Sequence, residues 1–77
     1  MNIVLLDTGP LVALLDRSEP DHDRVHSCRS RLHGSRLVTT GAVIIEAFYF
    51  LSDVQDGPSS LASFLADMAR RSLPPLD

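Results

Sequence analysis

Two short β-rich runs divide the chain, and neither shows the regular polar alternation of a strand with one solvated face. The first spans residues 2–6 and the second spans residues 36–40. Short runs of this kind, bounded by turn residues, are typical of strands buried on both faces of a parallel sheet. The pattern therefore predicts two strands, and each is followed at once by residues that open a helix.

The first two helical segments differ in how much apolar surface they carry. A helix is expected at residues 9–16, because glycine and proline follow Asp7 and leucines then repeat at helical spacing. A second helix is expected at residues 21–33. Its apolar stripe is thin, so it should be largely exposed. The stripe consists of Val25, Cys28 and Leu32.

The third and fourth helices follow the second strand. The third opens at Gly41 and is apolar over most of its circumference, which predicts the most buried helix of the chain. A turn is predicted at residues 56–58, and an amphipathic helix follows it and ends near Arg70 and Arg71. Residues 72–77 look like the approach to a third strand. The apolar positions are Val43, Ile44, Ala47, Phe48, Phe50, Leu51 and Val54, then Leu61, Phe64, Leu65 and Met68.

Strands that alternate with helices predict the α/β class. Such units form a parallel sheet that is covered by helices. Two strands, about four helices and the stub of a third strand do not complete a sheet of this type. We therefore expect residues 1–77 to form one truncated domain, the first half of a larger one, because the apolar strands and third helix need partners that 77 residues do not supply.

Composition narrows the class of protein. A formal net charge of −3 argues against a polybasic nucleic-acid binder, but not against an enzyme that meets phosphate through a metal ion. The apolar start is cut short by Asp7 and no run reaches membrane-spanning length, which predicts a cytoplasmic protein. The single cysteine, Cys28, is interpreted as a small core residue rather than a nucleophile.

Two acids stand where a parallel sheet places its functional crevice, beyond the carboxyl ends of the strands. Asp7 directly follows the first strand, and Glu46 comes about a turn and a half into the helix after the second. Asp7 alone could simply cap the next helix. Glu46 interrupts an apolar run, where an ionised carboxylate is costly unless a cation, a donor or a metal meets it. A salt bridge or a position at the helix edge is the competing interpretation for Glu46.

The two acids together favour a divalent metal. Carboxylates and nearby hydroxyls are hard oxygen ligands of the type that Mg²⁺ or Mn²⁺ prefers, and the hydroxyls would come from Thr8, Thr39 and Thr40. His22 and His26 are four residues apart and could share a helix face. A zinc site would need further ligands at suitable spacing, so surface histidines are the preferred interpretation.

The same residues resemble a known family. The run Ile-Val-Leu-Leu-Asp7-Thr8-Gly-Pro-Leu, with the later run Leu-Val-Thr39-Thr40-Gly-Ala-Val-Ile-Ile-Glu46-Ala, is similar to the start of PIN domains. The likeness is greatest to VapC-like ribonuclease toxins of bacterial toxin–antitoxin pairs. It covers nearly the whole chain, and its two blocks are fairly specific only in combination.

The resemblance implies a three-layer α/β/α fold and a cytoplasmic, Mg²⁺- or Mn²⁺-dependent endoribonuclease. Family members are usually dimeric and are held inactive by a cognate antitoxin. The catalytic, metal-binding acids of the family correspond to Asp7 and Glu46, and Thr8 falls where a hydroxyl residue commonly lines the substrate site. The family's further aspartates would lie beyond Asp77, which matches neither of them, so little nuclease activity is expected from this chain.

Two other interpretations compete with the nuclease. A phosphotransferase of the haloacid dehalogenase kind also has a nucleophilic aspartate after its first strand. That family requires a second aspartate two residues later, where this chain has Gly9. The stronger competitor is a non-catalytic PIN remnant that acts as an interaction module through exposed apolar surface.

Overall fold

The two predicted strands pair with each other, and the pairing is parallel. A computed structural model describes residues 3–32 and 35–72, in which β1 (Ile3–Leu5) lies beside β2 (Arg36–Val38). Val4 stands opposite Leu37, and the Leu6 N–H extends the ladder by donating to the Val38 carbonyl oxygen at 2.7 Å. The predicted α/β class and parallel sheet are thereby confirmed. The predicted third strand lies outside the described residues.

Four helices follow in the predicted order, and most of their starts agree with the sequence signals to within a residue. They are α1 (Thr8–Leu15), α2 (His22–Arg31), α3 (Gly41–Leu51) and α4 (Gly57–Ser72). Helices α1 and α3 begin directly after the strands, as β-α units do. None of the helices in the described part of the chain is both long enough and apolar enough to cross a bilayer.

The hydrophobic core lies where α1 packs against α3 and α4. Leu11 of α1 and Leu51 of α3 are fully buried at its centre, and burial of each such side chain contributes about 1.5–3 kcal/mol. The buried cluster consists of Leu6, Leu11, Val12, Leu14, Ala47, Leu51, Leu61 and Phe64. Four consecutive residues of α1 are buried, which makes α1 the most enclosed helix.

The prediction that α3 would be the most buried helix is wrong. Only Ala47 and Leu51 of this helix are buried, whereas Ile45 and Tyr49 point away from the core and are exposed. Apolar residues do extend around most of the circumference of α3. Within the described residues, α1 and α4 cover only part of that surface.

Within the described residues, the sheet is covered on one face only. Leu37 packs against the core cluster, whereas Ile3 and Leu5, on the opposite face of β1, are exposed. The expectation of strands buried on both faces is therefore wrong for the described residues. The helices that these residues contribute form one layer against the sheet, and no third layer is present among them.

Helix α2 is the exposed helix that the sequence predicts, since none of its residues is buried. Cys28 is exposed, so its assignment to the core is wrong. The inward stripe of α2 runs through Val25 and Arg29. The Arg29 guanidinium lies 5.4 Å from the centre of the Phe64 ring, so the arginine provides packing that the sequence analysis had assigned to the cysteine.

The turn between α3 and α4 is tight. Asp56 has a positive φ of 61°, a conformation that aspartate tolerates better than most residues. Gly57 then begins α4 with its α-carbon so close to the Leu51 backbone that a β-carbon would overlap the Leu51 carbonyl oxygen. This close approach ties the start of α4 to the end of α3.

Replacing Gly57 by alanine should therefore destabilise the protein by about 1–3 kcal/mol, the range for overpacking a well-fitted site. Urea unfolding followed by circular dichroism measures the change. Gly41→Ala is the matched control, because a β-carbon there meets nothing within 4 Å and alanine favours the helix. Equal midpoints for Gly57→Ala and the wild type would contradict the close approach.

Candidate functional site at the carboxyl edge of the sheet

Asp7 lies immediately beyond β1 and is the N-cap of α1. Its backbone is extended, and its Oδ1 accepts a hydrogen bond from the Thr8 N–H at 2.9 Å. The side chain is exposed. The capping interpretation is therefore confirmed. It leaves Oδ2 without a hydrogen bond to any described residue, so a second role for the carboxylate stays open.

The threonines after β2 stabilise the carboxyl edge of the sheet through hydrogen bonds. Thr39 donates its hydroxyl to the Leu6 carbonyl oxygen at 3.0 Å, which links the ends of the two strands. Thr40 is the N-cap of α3, and its hydroxyl oxygen accepts from the Val43 N–H at 3.2 Å. Thr8 is the first residue of α1 and is half-buried. The predicted hydroxyls are thus at the sheet edge, where those of Thr39 and Thr40 hold the structure together.

Glu46 lies on α3, five residues after Gly41, which places it about 7.5 Å further along the helix axis. The structure places it in solvent, and it makes no ion pair or hydrogen bond with the described residues. The argument that burial would force Glu46 to find a partner is therefore wrong. Ile45, Tyr49 and Phe50, which lie beside it on the helix surface, are themselves exposed, so the carboxylate keeps its hydration.

The fold brings both acids to helices that start at one edge of the sheet. Leu5 pairs with Val38, so Asp7 and Thr40 follow the two strands at equivalent positions. Helix α1, which Asp7 caps, packs against α3, which carries Glu46. Each of the two exposed carboxylates is an oxygen ligand of the kind that a hydrated divalent cation accepts.

No three-ligand metal centre accompanies these acids. Among residues 3–32 and 35–72, no group of three or more histidine, cysteine, aspartate or glutamate side chains could hold a metal ion. The His22 and His26 rings lie 6.0 Å apart, and His22 Nδ1 is 2.7 Å from the Ala13 carbonyl oxygen. With that nitrogen engaged by the backbone, His22 links α2 to α1.

Asp16 is a buried acid that the sequence analysis did not single out. It ends α1, and its Oδ1 accepts hydrogen bonds from the Ser18 hydroxyl at 2.6 Å and from the Ser18 N–H at 2.9 Å. These bonds lower the pKa of the Asp16 carboxyl, with a smaller contribution from His22. The Asp-x-Ser spacing was the available signal, since aspartate commonly bonds to the residue two positions later in a turn. Its role is to close the turn after α1.

Comparisons of the chain with known protein families, with curated proteins and with solved structures find no match. The resemblance to PIN domains therefore depends on the two sequence blocks around Asp7 and Glu46. Membership of that family and the activity it implies remain predictions.

Asp7→Asn should leave the free energy of unfolding nearly unchanged, because asparagine caps helices as well as aspartate does. Asp7→Ala should lower it by about 1 kcal/mol, since the Thr8 N–H then loses its acceptor. Urea denaturation of the two variants checks this pair. Equal stability of Asp7→Ala and the wild type would show that the cap contributes nothing.

Lowering the pH should show how much the hydrogen bonds of Asp16 contribute to the stability of the protein. The pKa is lowered on folding, so the charged carboxylate adds stability that is fully present above its unfolded pKa and is lost as pH falls through the folded value. Asp16→Asn should therefore show a shallower loss of stability on acidification than the wild type. Urea unfolding at a series of pH values measures the slope, with the exposed Asp53→Asn as the control. Identical slopes for Asp16→Asn and the wild type would contradict the assignment.

Proposed function

We propose that this chain belongs to a PIN-like domain with α/β/α layers, a cytoplasmic metal-dependent endoribonuclease. Its cellular role would be the toxin of a type II toxin–antitoxin pair. One observation carries the proposal. Asp7 and Glu46 follow neighbouring parallel strands, and both carboxylates are exposed and free of ion pairs within the described residues.

The residues present fit Mg²⁺ or Mn²⁺ better than a softer metal. Magnesium keeps several waters and is commonly bound through one or two carboxylates together with substrate phosphate, so two acids without a third protein ligand are sufficient for weak binding. Asp7 and Glu46 would hold the ion. When bound, such an ion polarises a phosphoryl oxygen and lowers the pKa of a coordinated water.

Backbone N–H groups and side chains at the sheet edge could bind a phosphodiester. The first turns of α1 and α3 present backbone N–H groups at the sheet edge, where the helix dipoles favour an anion. The Thr8 N–H fixes Asp7 Oδ1, so the carboxylate is oriented before any ligand arrives. Thr8 would contribute its hydroxyl to the substrate. The partners implied are an RNA substrate, a cognate antitoxin and a second copy of the chain.

A non-catalytic interaction module is the second candidate. The observation that favours it is the exposed apolar surface of α3, which is unusual for a helix that also contributes to the core. In this alternative Asp7 is only a helix cap and Glu46 is only a solvated residue. Metal binding separates the two candidates, because an interaction module has no reason to bind a divalent cation at these acids.

Titration with Mn²⁺ should raise the melting temperature of the wild-type chain. At roughly ten times the dissociation constant the stabilisation is about 1.4 kcal/mol, which corresponds to roughly 5–10 °C for a domain of this size. Asp7→Asn and Glu46→Gln should each abolish the shift without unfolding the protein, since the first keeps a cap and the second is exposed. Differential scanning fluorimetry gives the readout.

Asp23→Asn is the matched control for the titration, because Asp23 is also an exposed acid near a helix start. It should keep the full Mn²⁺ response. A response that survives in both Asp7→Asn and Glu46→Gln, or no response in the wild type, would refute the metal site. Labelled RNA incubated with Mn²⁺ should be cut only slowly by this chain, and the residual cleavage should disappear in Asp7→Asn.

A further inference from the structure

Helix α2 carries two histidines one turn apart. His22 begins the helix and His26 follows four residues later, so both side chains leave the same face. Their ring centroids are 6.0 Å apart, with an angle of 38° between the ring planes. His26 is exposed and His22 is half-buried, so the two rings border solvent. We call these two residues the α2 histidine pair.

A hydrogen bond determines which nitrogen of His22 is free. His22 Nδ1 lies 2.7 Å from the Ala13 carbonyl oxygen, which can only accept. Nδ1 therefore carries the hydrogen, and in the neutral ring Nε2 is left with a free lone pair. Histidines that bind metal ions usually donate their other ring N–H in this way, which orients the ring and increases the basicity of the ligand nitrogen. The spacing by itself favours two surface histidines, but this bond prepares His22 as a ligand.

We propose that the α2 histidine pair binds a divalent transition-metal ion that prefers imidazole ligands, such as Zn²⁺. Two histidines at this spacing on one helix face recur in zinc sites. Two nitrogens that each lie about 2.0–2.1 Å from one ion are within about 4.2 Å of each other. The observed ring separation allows this, because rings that turn their edges toward a common ion bring their nitrogens closer together than their centroids. Water would complete the coordination, since the described residues provide no group of three such ligands.

Negative charge near the start of α2 favours a bound cation. The Asp16 carboxylate is close enough to His22 for their charges to interact. Residues 16–24 contain four acids and two arginines, and one of those arginines, Arg24, is paired with Asp21 at 3.0 Å. Such an excess of acidic groups raises the local concentration of cations. The four acids are Asp16, Glu19, Asp21 and Asp23.

The α2 histidine pair is separate from the two acids of the proposed nuclease. Ala13 lies in the last turn of α1, whereas Asp7 caps the start of that helix, about 9 Å away along its axis. The two sites also differ in chemistry, since carboxylate oxygens suit Mg²⁺ or Mn²⁺ and imidazole nitrogens suit Zn²⁺, Cu²⁺ or Ni²⁺. A bound ion would join two turns of α2 and strengthen the hydrogen bond from His22 to α1. It would thereby stabilise the helix that has no buried residue, whether or not the chain cleaves RNA.

Isothermal titration calorimetry with Zn²⁺ tests the site. The wild type should bind one ion per chain, and hydrogen exchange should show added protection in α2 and at the end of α1. His26→Ala and, independently, His22→Asn should raise the dissociation constant at least about tenfold, because the loss of even an outer partner of a metal ligand has an effect of that size. His26 is exposed, so the fold should survive its replacement. Asparagine at position 22 keeps an N–H donor for the Ala13 carbonyl oxygen while it removes Nε2.

An exchange of two neighbouring residues gives a matched control. The double variant His26→Ser with Ser27→His keeps the composition, and both positions are exposed, but its histidines are five residues apart and no longer share a helix face. It should lose the binding as His26→Ala does. Cys28→Ser should keep the binding, since Cys28 is two residues from His26 and lies on another side of α2. His33→Ala should keep it too, although His33 lies outside the described residues.

Three results would overturn the proposal. The first is a wild-type chain that binds no Zn²⁺ at millimolar concentration. The second is binding that survives in His26→Ala or in the exchanged variant, or that Cys28→Ser abolishes. The third is an apparent affinity that rises with protein concentration, because the ion would then bridge two copies. Failure here is distinguishable from failure of the nuclease proposal, since His26→Ala should retain the Mn²⁺ response that Asp7→Asn loses.

Discussion

The parallel pairing of β1 with β2 is the constraint on which the arrangement of the molecule depends. Each strand contributes only three residues, yet the register that sets Leu5 opposite Val38 brings the ends of both strands to one edge. Two threonine hydroxyls stabilise that edge. Thr39 donates a hydrogen bond to the Leu6 carbonyl oxygen just after β1, and Thr40 accepts one from the Val43 N–H in the first turn of α3. Because α1 and α3 start there, a slip in register would shift the two helix starts relative to each other and misplace the helices that form the core.

The order and bounds of the elements could be predicted because they depend on local signals. Asp7 and Thr40 have side chains that can cap a helix, and both do so where the strand residues end. The turn at Asp56 and Gly57 is similarly local, since it needs a residue that tolerates positive φ and then one without a side chain. Such signals act within a few residues and are therefore visible in one sequence.

Burial could not be predicted to the same extent, because it depends on the surfaces that other elements provide. The apolar circumference of α3 was taken as a sign of enclosure, yet only Ala47 and Leu51 find cover from α1 and α4. The error about Glu46 has the same origin, since its apolar neighbours in sequence do not surround it in space. On α2, the guanidinium of Arg29 lies over the Phe64 ring while the smaller Cys28 remains exposed, and hydropathy alone cannot reveal this arrangement.

Helix α3 contributes to the core on one side and carries the candidate acid Glu46 on another. Leu51 fixes one side of the helix to the core, Glu46 lies at the flank, and Tyr49 lies on the side away from the core. A helix moves largely as a unit, so the packing of Leu51 into the core also restrains the position of Glu46. An acid carried on one helix must be held accurately to act with an acid that caps another, because a displacement of about 1 Å can cost two orders of magnitude in rate. Any chemistry that used both acids would therefore depend on how firmly α3 is held against α1.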